Sequence, residues 1–154
     1  MTSNREKRIV VTGLGATTPV GGTVPETWEA VLAGDSGVRL MPFDWVETYE
    51  LPVKIAATIK VSPLDLLARV EARRLDPAGQ YALIASREAW GDAGTPEVDP
   101  ARPGVVIRPG LGRVHTLLDQ WDTLCATGVV RVFPLALPPR ISTAPAAASP
   151  LAPV

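Results

Sequence analysis

Three groups of residues have types and spacings that could do chemistry. Gly13 and Gly15 follow the β-branched run Ile9-Val10-Val11-Thr12. A glycine turn between a strand and a helix is where backbone amides cradle a pyrophosphate. The dinucleotide pattern G-x-G-x-x-G needs a third glycine, but that place holds Thr18, followed by Pro19. The next helix starts only at about Val24, too far on to aim its N-terminus at a phosphate. Asp35, about 20 positions along, follows that helix instead of ending a second strand. A tight turn is the preferred reading.

Cys125 and His115 are the second group, a conceivable nucleophile and base. On one helix they sit about three turns apart, roughly 15 Å, which is beyond hydrogen-bond reach. Cys125 falls on an apolar stripe with Leu118 and Trp121, where a thiol behaves as a small hydrophobe. His115 reads as a surface or capping residue, and one cysteine with one histidine makes no metal site. The third group is Arg73 and Arg74, which could meet an acidic partner. Local ion pairs on a solvated face are the commoner explanation for their run, residues 71–76, and for the run 87–92.

The elements that must position these residues can be read from punctuation. Residues 9–12 and 104–107 read as short buried strands. Thr23-Val-Pro-Glu26 has the capping-box spacing and starts a helix that Gly34 stops. Residues 38–61 are irregular, with a strand or hairpin arm near their end. Ser62-Pro63 starts a short helix through about Val70. Asp76-Pro77 starts a longer one, in which Tyr81, Ala82, Ala85 and Ala89 share a face small enough to lie close to a sheet. An amphipathic helix covers residues 114–127 and ends at Gly128. From Pro134 onward six prolines fall within 21 residues, so the stretch 134–154 reads as a tail without a core of its own.

The totals narrow the class. A chain of 154 residues suits one domain with a core. Fifteen basic and 16 acidic residues leave a net charge of -1, so nothing electrostatic calls for nucleic acid or a membrane surface. No apolar run nears the ~20 residues that span a bilayer, and the polar start MTSNREKR is no signal peptide. A single cysteine excludes an internal disulfide framework and suits the reducing cytoplasm.

The segments "RIVVTGLGATTPVG", "TWEAVLAGDSGV", "PVKIAA", "EARRLDPAGQYALIASREAWGDAG" and "PGVVI" occur in this order between residues 8 and 107. Together they resemble the N-terminal part of a β-ketoacyl-acyl-carrier-protein synthase, most closely the type II fatty-acid elongating branch. That resemblance implies an α/β chain of thiolase-like fold, here a partial N-terminal half: strand–turn–helix units around an incomplete mixed sheet. Residues 1–133 would form the partial domain and 134–154 the tail. In this family the first strand and its turn bind no dinucleotide, and no cofactor or metal is implied.

The activity the resemblance implies is 3-oxoacyl-[acyl-carrier-protein] synthesis by decarboxylative Claisen condensation of malonyl-carrier protein with an acyl-enzyme. Its catalytic cysteine and two histidines match no residue here, Cys125 and His115 included, so this chain alone is expected to be inactive. The acyl-pocket candidates are Leu111, in the turn at residues 108–113, and Leu135 or Ala136, in "RVFPLALP". The implied partner is acyl carrier protein, intact relatives pair as homodimers, and the expected location is the cytoplasm. Beyond Pro138 the likeness stops, as a truncation or a shifted reading frame would produce. Open alternatives are a non-catalytic module binding a full-length synthase or carrier protein through Arg73 and Arg74, a polyketide ketosynthase fragment, and a small nucleotide-binding oxidoreductase.

Overall fold

A computed structural model describes residues 8–99, 102, 104–108 and 114–128, apart from the side chains of 115 and 116. Three of its described helices begin on a side-chain cap, at Thr23, Ser62 and Asp76. In α1 (Val24–Ala33) the Thr23 hydroxyl accepts the Glu26 amide at 3.4 Å, and the Glu26 carboxylate takes the Gly22 amide at 2.8 Å. Gly34 ends the helix at φ 76°, a left-handed conformation that glycine adopts without steric penalty. The region expected to be irregular contains a small antiparallel hairpin. Its arms β1 (Arg39–Leu40) and β2 (Ile55–Ala56) enclose α2 (Asp44–Thr48), and Arg39 lies opposite Ala56. The expected strand arm near residue 55 is therefore present.

The helix expected from Ser62 is two helices. α3 (Pro63–Leu66) and α4 (Arg69–Arg74) are separated by Leu67 and Ala68 in extended conformation. Packing explains the break, because it drops Leu67 into the main apolar cluster with Ala72 and Leu83, and Leu75 and Ile84 pack around it. α5 (Pro77–Asp92) starts on Asp76, whose carboxylate accepts the Gly79 amide at 2.9 Å. The Gln80 side-chain amide donates to the carbonyls of Ala72 and Leu75, closing the corner between α4 and α5. α6 (Val114–Thr127) ends before Gly128, φ 75°, as its sequence predicts, and its Leu118 and Trp121 are exposed.

The expected buried strands need correction. Residues 9–12 and 104–107 belong to no helix or sheet among the described residues, and Ile9 is 98 % exposed. β-branched residues favour extended backbone, whereas a strand also needs a neighbour to pair with. No described residue pairs with either segment. The tail, 134–154, lies outside the described residues. Among those described, no helix is long and apolar enough to cross a membrane.

The two charged runs meet each other. Arg87 of α5 donates to Glu71 of α4 through both guanidinium ends, at 2.5 and 3.3 Å. The hydrogen bond from Arg87 holds the Glu71 carboxyl below its ordinary value of 4.5. With the folded value depressed, the pair's contribution is present above the unfolded value and is lost as pH falls through the folded one. Both side chains are solvent-accessible, so the effect on stability is small. Arg87→Gln is expected to move the Glu71 midpoint, followed by carboxyl NMR, back up toward 4.5; an unmoved midpoint would contradict the pairing.

Candidate functional site

The glycine turn is built onto α5 by two devices. First, the small-residue face of α5 receives it. A side chain at Gly13 would collide with the Ala89 carbonyl and crowd Ala93, and one at Gly15 would collide with the Ala85 carbonyl. Ala85, Ala89 and Ala93 recur every fourth residue, so one helix face supplies the whole groove. The glycine turn, not a paired sheet, occupies the face predicted for close approach. Second, carboxylates from α5 accept the turn's amides. Asp92 takes the Leu14 amide at 2.9 Å, and Glu88 takes the Ala16 amide at 2.8 Å. The other Glu88 oxygen takes the Val24 amide at the start of α1, also at 2.8 Å.

This geometry answers the phosphate question from the residues themselves. A phosphate-binding turn presents free amides to an anion. Here the Leu14 and Ala16 amides are spent on carboxylates, whose charge repels a second anion. Glu88 and Asp92 were absent from the candidates read in the sequence, where they belonged to a solvated charge run. Their spacing of four puts them on one helix face, and that was the available signal.

The turn continues into a hub at residues 18–21. The Thr18 hydroxyl accepts the Gly21 amide at 3.0 Å and lies 3.0 Å from the Thr27 hydroxyl of α1. Arg39 donates to the Pro19 carbonyl, and Lys60 donates to that of Val20. One turn thus fixes α1, the hairpin and α5 relative to one another.

Beside the turn, α5 floors an open cleft of about 320 Å³ through Ser86, Ala89, Trp90 and Ala93, walled by residues 12–13 and 104–107. The wall of this cleft ends at Ile107, directly before residues 108–113, the turn expected to line an acyl pocket. Leu111, Leu135 and Ala136 all lie outside the described residues. Arg73 and Arg74 are exposed in the last turn of α4, and neither makes an ion pair with a described residue. Cys125, expected on a packed apolar stripe, has an exposed thiol instead. The reason is that Leu118 and Trp121 beside it have no cover among the described residues. No group of three His, Cys, Asp or Glu that could hold a metal occurs among the described residues.

Comparison with known proteins places this geometry in context. A family model described as "Beta-ketoacyl synthase, N-terminal domain" matches residues 6–149, reaching into the proline-rich stretch. The chain is 35% identical over 140 residues to the 3-oxoacyl-[acyl-carrier-protein] synthase 2 of Mycobacterium leprae, covering 91% of this chain and 33% of that protein. Its identity to the synthase of the same name from Coxiella burnetii is 33% over 139 residues, covering 88% and 33%. Among solved structures, a β-ketoacyl synthase from Burkholderia phymatum superposes with a TM-score of 0.72 at 27% identity, over 92% of this chain and 36% of that one. The ishigamide ketosynthase/chain length factor superposes with a TM-score of 0.64 at 26% identity, covering 89% and 34%. The chain thus spans about a third of the length of the curated relatives it matches.

Proposed function

The chain belongs to the β-ketoacyl synthase N-terminal domain family, and on that premise we propose that it supplies the N-terminal scaffold of a 3-oxoacyl-[acyl-carrier-protein] synthase. The observation that carries the proposal is its 35% identity to a protein of that name over 91% of this chain. The reaction would be the family's decarboxylative condensation of malonyl-carrier protein with an acyl group held on a cysteine. These 154 residues contribute positioning and carrier contact, not the reacting groups. Acyl carrier protein is the partner, the intact enzyme is a homodimer, and the location is the cytoplasm. Leu111, with Leu135 or Ala136, would face the acyl chain.

Purified chain incubated with malonyl-carrier protein is expected to release no carbon dioxide above the enzyme-free rate. Turnover, or a covalent acyl adduct on Cys125, would mean that the reactive centre is present after all. A second measurement tests the positive half of the proposal. Arg73 and Arg74 form an exposed cationic pair suited to an acidic carrier protein. The double variant Arg73→Glu, Arg74→Glu is expected to weaken carrier binding at least about tenfold, mostly by repulsion and in a salt-sensitive way. Equal affinity of the two forms by calorimetry would remove these arginines from the contact.

A further inference from the structure

We propose that Arg87 is a positioning residue for the cationic surface of α4: by holding Glu71, it keeps Arg74 uncompensated and open to an acidic partner. The inference rests on the proposed function, which gives the chain such a partner. It goes further by assigning a role to a residue on a different helix from the arginines.

α4 carries three basic residues, Arg69, Arg73 and Arg74, and one acidic residue, Glu71. Glu71 and Arg74 are three positions apart, which on a helix makes them surface neighbours with Cβ atoms about 5–6 Å apart. That separation is shorter than the Debye length of about 8 Å at physiological salt, so dissolved ions would not screen the pair. Left to itself, the Glu71 carboxylate would turn to Arg74, and a partner's carboxylate would have to displace it. The structure shows another arrangement. Glu71 accepts from both terminal nitrogens of Arg87, which reaches it from α5, 16 positions along, at 2.5 and 3.3 Å. Such two-pronged arginine–carboxylate contacts are stronger and more specific than single ones. The hydrogen bond from Arg87 is also what holds the Glu71 carboxyl below its ordinary value. Arg73 and Arg74 are left exposed, with no ion pair to a described residue. Because both partners are solvent-accessible, the Arg87–Glu71 pair adds little to stability. Its consequence lies in the pattern of charge: the one acid of α4 is occupied, and the neighbouring cation stays open to an approaching carboxylate.

The test measures binding of the full chain by calorimetry against two probes, acyl carrier protein and a synthetic helical peptide rich in glutamate. Arg87→Gln is expected to weaken binding of both about threefold to fivefold, the loss of one rim charge, while the far-UV circular dichroism stays unchanged. The loss should run through Arg74, so Arg87→Gln should cost nothing further in an Arg74→Gln background. Glu71→Gln should restore parental affinity to Arg87→Gln. Glu29→Gln, which restores the same net charge from an exposed position on α1, should not. Parental affinity in Arg87→Gln overturns the proposal. An equal loss in the Arg74→Gln background would make Arg87 a direct contact and also overturn it. Rescue by Glu29→Gln as full as by Glu71→Gln would reduce the effect to net charge, with the same consequence, and so would binding of neither probe. If the peptide follows the expected pattern while carrier protein binds no form of the chain, the role of Arg87 stands and the proposed function loses its partner.

Discussion

Gly15→Val is expected to destabilise the chain by about 3 kcal/mol or more, a large part of the roughly 5–15 kcal/mol that separates folded from unfolded states. The cause is space, not torsion, because Gly15 is not among the glycines with positive φ. A Cβ there would collide with the Ala85 carbonyl oxygen and come within 2.8 Å of the Ala89 nitrogen. Both are backbone atoms of a helix, which cannot rotate aside as a side chain would. Relief would require α5 to move away from the turn, and that movement would break the Glu88 and Asp92 contacts. Gly91 is the control: it lies in the same helix, and a Cβ there meets nothing within 4 Å. Gly91→Ala should therefore be neutral or stabilise by up to about 1 kcal/mol. Urea unfolding followed by far-UV circular dichroism reads both. Equal midpoints for the parent and Gly15→Val would mean that the turn does not press on α5.

What could be read in the sequence is what local chemistry decides. Thr23 with Glu26, Asp76 with Pro77, and Gly34 and Gly128 mark helix limits because each acts within a few residues. The thiolase-like α/β architecture was legible by resemblance, and structures that superpose over 92% and 89% of the chain bear it out. The expected strands at residues 9–12 and 104–107 are not found as strands: side-chain branching favours extended backbone, but pairing depends on residues remote in the chain. The break at Leu67 was invisible because nothing local interrupts that helix; a distant contact with Leu83 does. Of the candidate site, the exposed arginines and the structural role of the glycine turn were legible. The ladder of carboxylates that fixes the turn was not, since Glu88 lies 72 and 64 positions from the Ala16 and Val24 amides it accepts.

Glu88 is the residue on which that ladder depends, and Glu88→Ala is expected to lower stability by about 3 kcal/mol. One oxygen holds the Ala16 amide and the other holds the Val24 amide, 72 and 64 positions away in sequence. Hydrogen bonds to charged groups contribute about 1.5–3 kcal/mol each, and partial burial lets water recover some of that in the variant. Val24 opens α1, so its amide is one of the four donors that a helix leaves unsatisfied at its start. The carboxylate also places negative charge at the positive end of that helix. Glu88→Gln separates these effects. It keeps one acceptor, removes the charge, and turns an NH2 group toward the other amide, donor against donor, so it should lose at least half as much stability as alanine. Hydrogen exchange supplies the local signature. The Ala16 and Val24 amides should exchange faster in both variants, while the Leu14 amide, held by Asp92, should change less. A single acceptor contact would speed only one of the two. If both amides kept their exchange rates and the unfolding midpoint held, the turn would owe its position to the alanine face of α5 alone, and Gly15→Val would then be the only substitution of the two able to release it.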